Sequence, residues 1–488
     1  MRHPRAAGIL LHPTSLPGPN GIGELGDSAH HFLDFLAATG IRIWQMLPLG
    51  PTGYGDSPYQ CFSAFAGNPM LIAVPGDGAH FPAHEIDFSR VTSHKRTLLA
   101  HHVAACRRDD AYHAFVASQP AWLPDFALFM ALKEAHGGVA WTDWEPAVAW
   151  REPAALDAAR HRLAAIIDRV RVEQFLFHRQ FEALRRAAAE RGIRLMGDLP
   201  IYVAHDSADV WANPTLFKLR PDGRPAVQAG VPPDYFSATG QLWGNPIYDW
   251  DAMAHTGYAW WIERVRHVFA QFDLVRVDHF RGFEAYWEVP GEDTTAVHGR
   301  WVTAPGEALF DAITKALGPL PIIAENLGVI TPAVEALREK YGFPGMSILQ
   351  FAFGTDPQAH AFQPHNFPRA NVVYTGTHDN DTTVGWWHSA GAGDSTRSAA
   401  DVEAEREVAR RYLGSDGREI HWTMIRAALA SVSDTAIIPM QDVLGLGSEA
   451  RMNLPGRPGG NWRWRFTWDQ VTPAITQRLR TLVETYER

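Results

Sequence analysis

The sequence predicts an α/β fold: a closed (β/α)8 TIM barrel with inserted subdomains and no separate C-terminal β-sandwich domain. About eight apolar runs of strand length are spread along the 488 residues, and each is followed by polar or glycine-rich sequence and then by a helical pattern. Charged residues gather where the runs end. Parallel strands need long crossover connections, which helices supply. Eight such units close a barrel whose active site lies at the C-terminal ends of the strands.

Composition narrows the function before any motif is read. A chain 46% hydrophobic and 20% charged is an ordinary globular one. A net charge of -10 with a pI near 6.1 offers no attraction to phosphate backbones or anionic lipid, which argues against nucleic acid and membrane surfaces as main partners. Two cysteines, Cys61 and Cys106, are too few for a disulfide framework, so a reducing compartment is expected. The apolar run from Ala6 to Leu11 ends at His12-Pro13, too short for a signal peptide core or a membrane span. The expected location is cytoplasmic. Eighteen tryptophans, several in loops beside Gly, Pro and Asn, hint at carbohydrate, because aromatic faces stack on sugar rings, although many are expected to be simply core.

Taken in order, Gly8 to Leu11 reads as the first strand, leading into a loop rich in Gly and Pro. A helix follows, with Asp27 or Ser28 as N-cap, Phe32, Leu33, Phe35 and Leu36 as its apolar stripe and Gly40 as its stop. Ile41 to Leu47 is the second strand. From about 80 to 190 the pattern is mainly helical, strongest at Asp125–Ala135 and at Leu156–Arg191, where a break or kink is expected, and this region reads as an insertion. The third strand is Ile193 to Gly197. The remaining strand-like runs are Leu274–Val277, Pro321–Ala324, Met346–Phe351, Asn371–Thr375 and Thr435–Pro439. Their ends bring His12, Pro48, Asp198, Asp278, Glu325, Gln350, His378 with Asp379, and Gln441 with Asp442 to one rim.

Carboxylates repel one another and lose solvation when crowded, so Asp198, Asp278, Glu325 and Asp379 at one rim need a chemical reason. In Leu274-Val275-Arg276-Val277-Asp278, alternation puts Arg276 and Asp278 on the same face. The guanidinium is expected to lower the Asp278 pKa and hold it ionised, as suits a nucleophile. Two carboxylates about 5–5.5 Å apart across a glycosidic bond form the apparatus of a retaining glycosidase. Asp278 fits the nucleophile, Glu325 after its apolar strand fits the acid/base, and Asp379 would hold sugar hydroxyls and favour the oxocarbenium-like transition state.

The segments Arg276-Val277-Asp278-His279, Ala324-Glu325-Asn326-Leu327-Gly328 and Thr377-His378-Asp379-Asn380 resemble the strand-end motifs of the α-amylase clan. Four further stretches narrow this: Gly53 to Gln60, Gly197 to Val203, Gly230 to Phe236 with Trp243 to Pro246, and Arg451 to Gly456. From about residue 8 to 466 the chain resembles the amylomaltases, the 4-α-glucanotransferases of glycoside hydrolase family 77. The resemblance implies Asp278 as nucleophile, Glu325 as acid/base and Asp379 as transition-state stabiliser. It implies Arg276 and His378 in the donor site, Tyr59 stacked on the sugar, Asp198 in support, and Ser57, Asn245 and Asn453 among the substrate-binding residues. Residues 230–250, within an insertion at about 205–260, would be a lid over the acceptor side with Tyr235, Phe236 and Trp243 as aromatic contacts. The partners implied are maltooligosaccharides and other α-1,4-glucans, with no cofactor or metal. The family more often has an acidic residue where this chain has Asn326, a departure that bears on the charge beside Glu325.

Other readings stand beside this one. A retaining α-glucan hydrolase of the same clan would carry the same carboxylates, and only sugar transfer set against reducing-end release separates the two. A metal-dependent barrel hydrolase could use His12, His279 and His378, although paired histidines at ligand spacing are missing. A noncatalytic glycan-binding barrel would have a broken carboxylate set, whereas Asp278, Glu325 and Asp379 are all present.

Overall fold

The computed structural model describes residues 5–119, 121–233, 239–391, 398–457 and 459–488. The apolar runs suit strands because their side chains, Arg194 apart, are buried on both faces, the environment of a parallel sheet covered by helices. The barrel strands are β1 (Ala6–Leu10), β2 (Ile43–Gln45), β3 (Arg194–Leu199), β6 (Leu274–Val277), β9 (Ile322–Ala324), β10 (Gly345–Ile348), β11 (Asn371–Tyr374) and β12 (Thr435–Pro439). They make an eight-stranded sheet in the order β10-β11-β12-β1-β2-β3-β6-β9, parallel at every pairing. The ends of that order meet through the Ala324 N–H, which donates to the Pro344 carbonyl at 2.9 Å. Asn326 reinforces the seam: its Oδ1 accepts from the Met346 N–H and its Nδ2 donates to Glu335 Oε1, each at 2.8 Å. Its amide is therefore spent between the strands and the helix Pro332–Lys340.

The helix Asp27–Ala38 buries Phe32, Leu33, Phe35 and Leu36, and Gly40 follows it at φ +77°. Its N-cap is Gly26, one residue earlier than expected, and Asp27 lies in the first turn, where its charge meets the positive end of the helix. Between β2 and β3 the longer helices are Phe88–Ala100, Asp110–Ser118, Leu123–Ala135, Pro153–Arg162 and Ala164–Glu190. The break expected in the last pair falls at Leu163. Lys95, fully buried on the first of these helices, sets its ammonium against the Glu24 carboxylate and the Ile72 carbonyl and so fixes the helix to the loop after β1.

A second sheet was not legible in the sequence. Strands β4 (Val227–Val231), β5 (Gln241–Pro246), β7 (Ala285–Pro290) and β8 (Arg300–Thr303) pair antiparallel in the order β5-β4-β7-β8. It draws on sequence from both sides of β6, and β8 is largely exposed, so no apolar run announces it. Most of the tryptophans prove to be core: Trp44, Trp141, Trp211 and Trp261 are fully buried. Among the described residues, no helix is long and apolar enough to cross a membrane.

Candidate active site

Register builds the centre of the site. Asp198 on β3 and Arg276 on β6 are direct neighbours in the parallel ladder. Arg276, 3% exposed, donates from Nη1 to Asp198 Oδ2 at 2.6 Å and holds Asp278 Oδ1 at 2.9 Å from Nη2. One planar guanidinium thus serves two carboxylates, which a rigid fork of donors does and a single ammonium does not. The pairing with Asp278 is the one the strand alternation predicts, yet its expected effect is outweighed. The Asp278 carboxyl is pushed up to about 8: burial raises it most, Arg276 pulls it down, and Asp198, Glu325 and Asp379 push it up. Its side chain keeps 27% exposure at the cleft.

Glu325 follows β9 and lies against the residue after Asp278. Its Oε2 accepts from the His279 N–H at 2.8 Å and its Oε1 from the Leu327 N–H at 2.9 Å. His279 itself holds a left-handed backbone, φ 51° and ψ 50°, uncommon for a residue other than glycine. Burial raises the Glu325 pKa, opposed by Arg276 and the two N–H donors and assisted by Asp379. The Tyr59 hydroxyl donates to Asp198 Oδ2 at 3.0 Å, and its ring stacks on His378 at 5.2 Å. His378 Nε2 is 3.4 Å from Asp379 Oδ1, and Asn453 Nδ2 donates to the same oxygen at 2.6 Å. Burial lowers the His378 pKa, against the pull of Asp379. His12 Nδ1, Asp198 Oδ1, Arg276 Nε and His279 Nε2 are buried with no hydrogen-bond partner among the described residues.

Ionisable residues on strand ends, a shared guanidinium and two carboxyls with raised pKa values are the parts of a catalytic cleft. Comparison with known proteins gives the kind. The sequence profile of glycoside hydrolase family 77, described as 4-alpha-glucanotransferase, matches residues 11–471. The chain belongs to glycoside hydrolase family 77. It is 49% identical to the 4-alpha-glucanotransferase of Thermus thermophilus, with all of both chains covered. It is also 49% identical to that of Synechocystis, over 99% of this chain and 98% of the other. Among solved structures, it matches the amylomaltase from Streptococcus agalactiae in complex with acarbose at a TM-score of 0.93 and 39% identity, over 99% of both chains.

The family 77 cleft brings together Asp278, Glu325, Asp379, Asp198, Arg276, Tyr59, His378 and Asn453. Trp243 also lies there, its ring edge-on to His279 at 4.8 Å. Ser57 and Asn245 make hydrogen bonds within the protein. The Ser57 hydroxyl accepts from the Tyr59 N–H at 3.2 Å, and the buried Asn245 amide accepts from Gln60 Nε2 at 3.1 Å and donates to the Val203 carbonyl at 2.8 Å. Both brace the loop that carries Tyr59. Tyr235 and Phe236 lie outside the described residues.

Sequence reasoning missed Trp462, which packs on Tyr59 and His378 at 5.9 and 6.0 Å and holds a left-handed backbone at φ 66°. It also missed Arg451, whose Nη2 donates to the Asp379 carbonyl at 2.7 Å. Arg451 stood within a stretch singled out for its family likeness, a signal that could have found it. Among the described residues, no group of three or more His, Cys, Asp or Glu side chains is arranged to hold a metal ion.

Proposed function

We propose that this family 77 enzyme breaks an α-1,4 bond in a maltodextrin, keeps the donor part covalently on Asp278, and passes it to the 4-hydroxyl of glucose or another 1,4-α-glucan. The observation that carries the reading is the shared guanidinium of Arg276, set directly on Asp278 beside a half-buried Glu325 held by two backbone N–H donors. In this reading the productive form holds one proton between Asp278 and Glu325. That proton stands, in the same reading, on Glu325, because Arg276 is in direct contact with Asp278 and acts on Glu325 only through space. Asp278 then attacks the anomeric carbon while Glu325 protonates the departing oxygen. In the second half, Glu325 takes the proton of the incoming 4-hydroxyl as the bond to Asp278 breaks. Asp379, steered by Asn453 and His378, meets the charge that develops on the sugar ring. The unpartnered buried atoms of His12, Asp198, Arg276 and His279 supply places for sugar hydroxyls, since such atoms are costly to leave unbonded.

In this reading the substrates are maltooligosaccharides and longer α-1,4-glucans, the location is the cytoplasm, and no nucleotide sugar, metal or organic cofactor takes part. The chain is one barrel from 1 to 488, with about 80–190 and 205–260 as insertions. Trp243 and the lid residues favour a sugar hydroxyl over water as acceptor. Incubation with maltotriose tests this. The expected result is glucose plus a ladder of longer maltodextrins at nearly constant total reducing ends. A steady rise in reducing ends without longer products would make the enzyme a hydrolase.

A further inference from the structure

The barrel's last strand delivers a carboxylate that the reaction does not use. Asp442 lies just past β12 and is 0% exposed. Its Oδ2 accepts from the hydroxyls of Thr375 at 2.5 Å and Thr383 at 2.7 Å, and its Oδ1 from the Thr383 N–H at 2.7 Å. Thr375 directly follows β11, and Thr383 opens the helix Thr383–His388. Both ends of the loop that bears His378 and Asp379 therefore close on one carboxyl.

The interior of that loop is tied as well. Asn380 Oδ1 accepts from the Thr377 N–H and hydroxyl at 2.9 Å each, Gln350 Nε2 donates to the Asp381 carbonyl at 2.8 Å, and Ser448 donates to Asp381 Oδ2 at 2.7 Å. No cation is paired with Asp442 among the described residues. Burial pushes its carboxyl up, and the Thr375 and Thr383 donors pull it down. A carboxylate is the acceptor-only side chain that can take all three bonds at once; an amide offers one oxygen, and its nitrogen faces the donors.

We propose that Asp442 is a positioning residue for Asp379, a clasp that fixes the ends of the 375–383 loop so that the Asp379 carboxyl stands where charge develops on the sugar. The inference rests on the reading of Asp379 as the group that favours the transition state. Asp442 touches no substrate in this account and acts through the loop.

The test compares D442N, T383V and T383S with D379N. For D442N we expect kcat for maltotriose transfer to fall about tenfold or more, with KM within about threefold. Acarbose, with a flattened first ring and a basic bridging nitrogen, resembles the transition state, and its inhibition should weaken by a similar factor. Maltotetraose binding, measured by calorimetry in an E325Q background, should hold. T383V, which removes one hydroxyl at nearly constant shape, should move the same readouts in the same direction, and T383S should restore them. If D442N fails to fold, the valine and serine pair decides alone. Unchanged kcat and acarbose inhibition would overturn the proposal, as would equal losses for acarbose and maltotetraose, which mean general loosening of the cleft. A D379N enzyme that retains full activity would sink the reading of Asp379 and the proposal with it. Loss in D379N with none in D442N or T383V would sink the proposal alone.

Discussion

Replacing Arg276 with lysine keeps the charge and removes the fork. The guanidinium spans Asp198 at 2.6 Å and Asp278 at 2.9 Å. One ammonium cannot hold both in that geometry. It should stay with Asp198, whose side chain is fully enclosed and costs more to leave unpaired. Asp278 then loses one charge-assisted hydrogen bond, worth about 1.5–3 kcal/mol. At about 1.4 kcal/mol per factor of ten, kcat/KM for maltotriose should fall about 10- to 100-fold. The sign of the pH effect follows from the active form. Asp278 works ionised; without the guanidinium its pKa rises further, so the acidic limb of the pH–rate profile moves to higher pH and the plateau drops. The assay is the pH dependence of glucose release from maltotriose, with thermal unfolding as a control on the fold. R276K within twofold of the parent enzyme, with an unmoved acidic limb, would refute the assignment of Arg276 as the group that places the proton.

Three further substitutions probe separate parts of the molecule. E325Q should cut transfer from maltotriose about 10²–10⁴-fold yet still form a covalent sugar on Asp278 from α-maltosyl fluoride, whose leaving group needs no proton; intact-mass spectrometry reads the adduct, and its absence would count against the acid role. N326D sets a second carboxylate against Glu335 and should lower unfolding stability by about 1 kcal/mol, with E335Q restoring the denaturant midpoint. K95A leaves Glu24 buried without its cation and should cost about 3–5 kcal/mol in urea unfolding, whereas the double replacement K95M/E24Q should cost less.

The barrel was legible because each of its strands is a short apolar run between helical patterns, and all eight fall where those runs stand. The second sheet was hidden because β8 is largely exposed and β4 and β5 mix glycine with polar residues, so neither alternation nor an apolar run betrays them. At the site, the sequence showed which carboxylates reach the rim, since strand ends can be counted. It did not show the balance of forces on them. The Arg276 contact with Asp278 follows from alternation, but the burial that raises Asp278 and the like charges of Asp198, Glu325 and Asp379 that add to it depend on which strand ends the fold brings together. Backbone choices were equally silent: nothing in the letters around His279 or Trp462 announces a left-handed residue. Ser57 and Asn245 were singled out by motif, and only the fold reveals that their polar groups are engaged by the protein itself.

The closure of the barrel between β9 and β10 carries a further consequence. Everywhere else around the barrel neighbouring strands share a ladder of paired residues, whereas here the described residues offer the single bond from Ala324 to Pro344 and the side-chain bridge of Asn326. Glu325 stands between those two residues. As the protein is warmed, this is where fluctuations should first part the wall, so amide exchange should be fastest at Ala324 and Met346 among the barrel strands. Catalysis would then fade at a temperature below the one at which the barrel melts, and a bound glucan, by spanning the gap from within, would draw the two temperatures together.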